Sequence, residues 1–246
     1  MKNKVLFISS THGNESFSIP VLESIQKEYS KDKYNYDWII GNEEAVRKEV
    51  RFIKRDLNRV APGNLRSTIY EEKRAAEIIN LSQEYDYVID IHGTKSDFGI
   101  VAVVPYPSWS NLVLSTLLPV EKIVIWYAKE SGTEGPIVQH TKCPAVELEC
   151  GPKNNQETSN ILGNLIKEFL EKKDSLSIRE VLELASKKEF YMVYGKVVSD
   201  HDEALIDFNQ MSIGNEKFYP FMGNKEYNGI TCYKMKKLDI QDLLVY

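Results

Sequence analysis

The sequence of 246 residues predicts an α/β fold: a mainly parallel mixed sheet flanked by helices, with a small C-terminal β-rich appendage. Three observations predict it. Short apolar, β-branched runs that read as buried strands recur through the first two-thirds of the chain. Between them lie segments whose apolar residues follow a helical period. Near residue 173 this alternation gives way to extended runs punctuated by Gly and Asn. Strands alternating with helices favour a parallel sheet covered on both faces.

Taken in order, Val5 to Ser9 is a short apolar strand, Ser18 to Glu28 a helix and Tyr36 to Ile40 a second strand. From Ile69 to Gln83, Ala75, Ile78 and Ile79 mark one helical face. Tyr85 to Ile91, Ile100 to Val104, Lys122 to Tyr127 and Ala145 to Leu148 have strand length and composition. Gly151-Pro152 then stops the chain, and Thr158 or Ser159 is the expected cap of a helix. In it Ile161, Leu162, Leu165, Ile166, Phe169 and Leu170 recur at helical spacing. The polar stretch from Lys172 to Ser177 is the expected connector, dividing residues 1–173 from an appendage of 174–246. The appendage holds a short helix, Ile178 to Leu184, and extended runs over Phe190 to Val198 and Gly229 to Met235.

Composition removes several classes of function. A formal charge of -5, with basic and acidic residues interspersed, offers no basic field to gather nucleic acid by counterion release. No stretch approaches the apolar length that spans a bilayer, and the apolar run after Met1 is too short for a signal-peptide core. Cys143, Cys150 and Cys232 form neither a CxxC pair nor an even disulfide set, which fits a reducing compartment. The expected setting is cytoplasmic, with no membrane partner.

Four short segments carry chemistry-bearing residues. Thr11-His12-Gly13-Asn14-Glu15 follows directly on a strand, at the carboxyl end of the sheet where open α/β folds place their sites. His12 and Glu15 could converge on one cation in a turn, although His12 could equally cap a helix. Asp90-Ile91-His92-Gly93-Thr94 ends another strand. His92 there is either a third ligand or a satisfied core histidine, and Asp90 shares its strand face as a candidate acceptor behind it. In the segment Arg51 to Arg59, charge clusters ordinarily mean solvated surface, but Asn58-Arg59 sets a planar fork beside an amide, suited to bidentate capture of a carboxylate. Last comes Glu147-Leu148-Glu149-Cys150-Gly151-Pro152. Two carboxylates on one face of an apolar strand are costly unless paired or functional, and Glu149, nearer the strand end, is the better candidate for a general base.

The ordered set H-x-x-E, R…DLNR, D-x-H-x-T and E-x-G-P resembles the aspartoacylase and succinylglutamate desuccinylase family of the zinc carboxypeptidase superfamily, over roughly Val5 to Pro152. The resemblance implies a zinc carboxypeptidase-like fold and one Zn2+ per chain held by His12, Glu15 and His92. It implies that Glu149 passes the proton from water to the leaving amine, and that Arg51 polarises the scissile carbonyl. Asn58 and Arg59 become the clamp for the α-carboxylate of a small N-acyl amino acid, Asp56 a supporting residue, and Tyr227 the nearest match to a substrate-binding tyrosine.

Two departures bear on the substrate. The stretch Gly135 to Lys142 lacks the arginine that reads a second carboxylate in aspartoacylase-like enzymes, with Lys142, Gln139 or His140 as substitutes. The chain is also shorter than typical members, which implies a trimmed appendage and a more open site. Two other functions fit part of the pattern: a carboxypeptidase-like metallopeptidase using the same metal and clamp, and a metal- or ligand-binding protein without catalysis. Retention of Glu149 and Arg51 argues against the last. A homo-oligomer is compatible with everything above.

Overall fold

The structure is a computed structural model that describes residues 2–127, 135–198, 205–223 and 229–245. Its strands are β1 (Val5–Ser9), β2 (Tyr36–Ile40), β3 (Tyr87–Gly93), β4 (Gly99–Val104), β5 (Lys122–Ile125), β6 (Ala145–Gly151), β7 (Glu189–Val197), β8 (Met211–Ile213), β9 (Glu216–Phe221) and β10 (Cys232–Leu238). The helices are α1 (Ser18–Glu28), α2 (Lys31–Tyr34), α3 (Glu43–Arg47), α4 (Tyr70–Ser82), α5 (Trp109–Leu117), α6 (Gln156–Lys172) and α7 (Ile178–Ala185). No helix among the described residues is long and apolar enough to cross a membrane.

The strands form one mixed sheet in the order β2-β1-β3-β6-β4-β5-β7-β10-β9-β8. From β2 through β1 and β3 to β6 every pairing is parallel. β4 enters antiparallel to β6, β5 and β7 then run parallel to β4 and to each other, and β10, β9 and β8 close the sheet with antiparallel pairings. The segment after residue 173 therefore extends the same sheet through the β5–β7 pairing.

Each central strand is buried on both faces. On β1, Val5 and Phe7 pack with α1 and α6 through Leu22, Ile25, Phe169 and Ile166, while Leu6 and Ile8 pack on the opposite face with Leu57, Ala75 and Ile78. The same alternation puts Ile89 and Ile91 of β3 in the first layer and turns Val88, and with it Asp90 and His92, toward the second. Along β6, Val146, Leu148 and Cys150 fill the first layer, so Glu147 and Glu149 share the face of Asp90 and His92. Two strands thus deliver four polar side chains to one face of the sheet, near the carboxyl ends of both.

One expectation is corrected. The cap of α6 is Asn155, whose Oδ1 accepts from the Glu157 N–H at 2.8 Å, not Thr158 or Ser159. Asn serves as well as Ser or Thr at that position, and the helix begins early enough to bury Thr158 inside its first turn. Helices α2, α3 and α5 extend the sequence reading. In α5 the run of Leu112 to Leu118 buries almost all round, which removes the amphipathic period that would mark it as a helix.

Candidate active site

At the end of β1 the chain turns sharply. Ser10 takes a positive φ of 57°, and the Glu15 N–H then bonds the His12 carbonyl at 3.0 Å, closing a tight turn. Gly13 sits in it against α3, where an added Cβ would lie 2.2 Å from the Ala45 carbonyl carbon. Only glycine lets the turn approach that backbone, and the approach holds His12 and Glu15 on one side.

The turn meets the end of β3. His12 Nδ1 lies 3.2 Å from Glu15 Oε1, His92 Nδ1 lies 3.3 Å from Glu15 Oε2, and the two Nδ1 atoms are 3.3 Å apart. All three side chains are buried. The far nitrogens are fixed by carboxylates. His12 Nε2 donates to Asp56 Oδ1 at 2.9 Å and His92 Nε2 to Asp90 Oδ2 at 3.0 Å. Asp90 is itself oriented by the Thr11 hydroxyl, which donates to Oδ1 at 2.7 Å. Asp56 accepts from Arg51 Nε at 3.1 Å and from the Asn58 N–H at 3.0 Å. Partners on the outer nitrogens leave both Nδ1 atoms aimed inward, the arrangement that carboxylate–histidine–metal sites use. A single cation could be held by His12, Glu15 and His92.

Electrostatics follow from this crowding. Burial alone would lower the pKa of His12, but the charge of Glu15 and the bond to Asp56 raise it above the ordinary imidazole value. Burial also works against protonation of His92, and Asp90, Glu15 and Glu147 overcome it, raising its pKa well above that value. Despite its own desolvation, Glu15 is held well below the usual carboxylate range by the two imidazoles. For Asp56, desolvation is outweighed by His12, Arg51 and Arg59, and its carboxyl is likewise held low. Without a cation, protons are drawn onto the imidazoles, and a metal ion would displace them.

Glu149 behaves oppositely. It stands directly across from His92 in the β3–β6 register, half-buried, and its carboxylate makes no hydrogen bond with the described residues. Desolvation, reinforced by Glu15 and Glu147 against the pull of His92 and His12, pushes its pKa up to about 7. A carboxylate with that pKa at the edge of a cavity is suited to move protons near neutrality.

A model of the succinylglutamate desuccinylase/aspartoacylase catalytic domain matches residues 2–170. The chain belongs to this family. Its relatives include a probable aspartoacylase of Prochlorococcus marinus (strain MIT 9515), 32% identical over 162 residues, which are 61% of this chain and 54% of that protein. An N-acyl-aromatic-L-amino acid amidohydrolase (carboxylate-forming) of Xenopus laevis is 32% identical over 110 residues, 39% of this chain and 36% of that one. The chain thus spans about half the length of the first relative and less of the second. Murine aminoacylase 3 superposes with a TM-score of 0.73 at 18% identity, covering 96% of this chain and 95% of that one. That likeness establishes the shared fold.

Two adjoining cavities complete the site in this family member. The first, of 430 Å³, contains His12, His92 and Glu149 and is walled by Val103, Pro105, Trp126, Met222 and Tyr233. The second, of 630 Å³, is lined by Lys95, Lys153, Arg51 and Arg59 and by Glu15 and Asp56. Arg51 is half-buried, with Nη1 3.5 Å from Glu15 and Nη2 3.1 Å from Asp56. Arg59 is exposed; its Nη1 donates to the Asn58 carbonyl at 2.7 Å, and it lines both cavities. Asn58 is more committed than an open clamp requires. Its Nδ2 donates to Glu147 at 2.8 Å and its Oδ1 accepts from the Ile137 N–H at 3.2 Å.

Tyr227 lies outside the described residues. Of the proposed substitutes for the missing arginine, Lys142 is exposed and bonds Gln83 at 3.4 Å. Gln139 and His140 pack behind Gly135 and are not among the side chains lining either cavity. Trp126, Tyr233, Met222 and Lys153 line the cavities without belonging to any of the four sequence segments. For Lys153 a signal existed, a cation immediately after the Gly-Pro break that ends a carboxylate-bearing strand.

Proposed function

We propose that the chain is a zinc-dependent hydrolase that cleaves the amide bond of an N-acyl amino acid. The observation that carries this reading is the pairing of a metal-ligand trio with Glu149, a carboxylate without a hydrogen-bond partner among the described residues, beside it in the same cavity. The trio fits zinc. Two imidazole nitrogens and a carboxylate are its usual donors, and bonds of about 2.0 Å at tetrahedral angles put ligand atoms about 3.3 Å apart; the two Nδ1 atoms are 3.3 Å apart, and each lies 3.2 or 3.3 Å from one of the two Glu15 oxygens. Bound there, zinc would polarise the scissile carbonyl and lower the pKa of water to about 7.

The chain's own residues supply the rest. Glu149 takes a proton from the attacking water and returns it to the departing amine nitrogen, and its raised pKa suits both transfers. Arg51, braced by Asp56, points guanidinium N–H groups toward the site and steadies charge developing on the carbonyl oxygen. Arg59 holds the substrate's α-carboxylate. Asn58, whose Nδ2 donates to Glu147 at 2.8 Å and lies 3.4 Å from His92 Nε2, assists at the edge of the clamp and ties it to the strand that carries the base. Asp56 and Asp90 fix the imidazoles. The three cysteines are free, in keeping with a cytoplasmic setting.

The decisive variant is Glu149→Gln. It keeps the metal yet lowers kcat by about 10² to 10⁴, read by metal analysis beside an assay on acetyl-, succinyl- and longer-acyl amino acids. Wild-type turnover by the variant would remove the base from the reading. Short peptides assayed alongside separate deacylation from carboxypeptidase action.

A further inference from the structure

We propose that Lys153 anchors a second anion subsite, which takes a substrate carboxylate other than the one held by Arg59. The proposal rests on the reading that Glu15 holds a cation. Lys153 is built into place rather than draped over the surface. Its backbone N–H donates to the Thr94 carbonyl at 2.6 Å, joining the segment after β6 to the one after β3. Its stem lies over Gly93, where an added Cβ would stand 2.8 Å from Lys153 Cβ and 3.2 Å from Cδ. The glycine next to His92 therefore leaves the room this lysine occupies. The side chain is only 13% exposed, and its ion pair is with Glu15, at 4.0 Å.

That partner is the point. Four ångströms is an ion pair without a hydrogen bond, and once Glu15 ligates a cation its charge is committed to the cation. The ammonium is then left largely desolvated beside a second positive centre, an unfavourable state unless an anion joins it. The cavity around it concentrates the same sign. Arg51, Arg59, Lys95 and Lys153 line it, and its two carboxylates, Glu15 and Asp56, are both tied to His12. It opens onto the reaction cavity along Glu15, Arg51 and Arg59, which line both. A ligand whose amide lies near the trio can extend a second carboxylate toward Lys153. That group sits either on the acyl half, as in a dicarboxylic monoacyl chain, or on the amino-acid side chain.

The test is calorimetric and needs no turnover. Zinc-loaded wild type, Lys153→Met, Lys153→Gln and Lys153→Arg are titrated with two charge-differing pairs, succinate against butyrate and L-glutamate against L-glutamine. Wild type should bind the dicarboxylate of at least one pair roughly tenfold or more tightly than its partner, the scale of a charge-assisted hydrogen bond. Lys153→Met and Lys153→Gln should erase that preference at unchanged zinc content, and Lys153→Arg should keep most of it. The pair that responds identifies the half of the substrate involved. No preference in wild type, or a preference that survives in Lys153→Gln, overturns the subsite. The two readings fail separately: a protein that hydrolyses no N-acyl amino acid but shows the Lys153-dependent preference loses the proposed activity and retains the subsite.

Discussion

The ends of β1, β3 and β6 and the antiparallel part of the sheet, through Tyr233 on β10 and Met222 just after β9, both reach the reaction cavity, and they bring opposite materials to it. The parallel ends bring buried charge with fixed partners: Thr11 to Asp90 to His92, Arg51 to Asp56 to His12, Asn58 to Glu147. The far end of the sheet brings aromatic surface. The Tyr233 ring lies against Trp126 at 4.3 Å between centroids, tilted by 58°; Trp126 meets Phe221 at 5.8 Å, and Phe208 and Tyr191 continue the layer behind. The difference separates two jobs. In the first region each group is oriented by another polar group in a low-dielectric setting, so removing one leaves its neighbour unsatisfied. In the second, contacts are dispersive and numerous, and a change reshapes the wall without orphaning a charge.

The largest effect is expected in the first region. His92→Ala removes a proposed ligand and strips fully buried Asp90 of its imidazole, leaving Thr11 as its side-chain partner. Breaking a buried charged pair from one side costs about 3–5 kcal/mol. Metal analysis should find zinc lost, activity should fall to background, and denaturant unfolding should show a drop of that size. Near-normal zinc content and stability in the variant would mean that the polar network is less interdependent than its geometry indicates.

A smaller effect concerns pH in protein freed of metal by chelation. His12 and His92 have pKa values raised above 6.5, so their contribution to stability is fully present below that value and is lost as pH rises through the folded values. Glu149 moves the same way, since its carboxyl is raised from 4.5 to about 7 and the folded state favours its protonated form. The chelated protein should therefore lose Tm as pH rises, from the ordinary carboxylate range through about 7 for Glu149 and on through the raised imidazole values. Zinc displaces the imidazole protons on binding, so its stabilisation should grow over the same range. Parallel Tm profiles with and without zinc would contradict the proposed ligand set.

The same contrast explains how much of the molecule is legible in its sequence. Strand ends are local features, so the segments holding His12, Glu15, His92 and Glu149 stand out as polar residues placed where apolar runs stop. Val5–Ser9 and Ser18–Glu28 are legible for the same reason, since their patterning lies within the element. The aromatic wall is not local. Trp126 follows β5 and Tyr233 lies on β10; they meet because the sheet order puts β7 between those two strands, which no short window of sequence records. Helix α5 is hidden by burial on nearly every side, and the cap at Asn155 by two hydroxyl residues just beyond it that fit a cap equally well. Lys153 falls between these cases: its place after β6 is local, but its approach to Glu15 depends on the turn after β1 and on the missing side chain at Gly93.

The smallest predicted effect falls on the aromatic wall. Tyr233→Ala deletes a half-buried ring that packs on Trp126 and faces the cavity, with none of the proposed metal ligands among its ring contacts. Loss of such a pair costs about 0.5–1.5 kcal/mol beyond the buried area, so a modest fall in stability is expected. The enlarged cavity should shift KM by roughly tenfold or less between short-chain and bulky substrates, the scale of a methylene or two in an apolar pocket, and should move kcat less than KM. Zinc content should match wild type. If Tyr233→Ala instead lost metal or dropped kcat as steeply as Glu149→Gln, the ring would belong with the polar network, and the division of labour between the two ends of the sheet would fail.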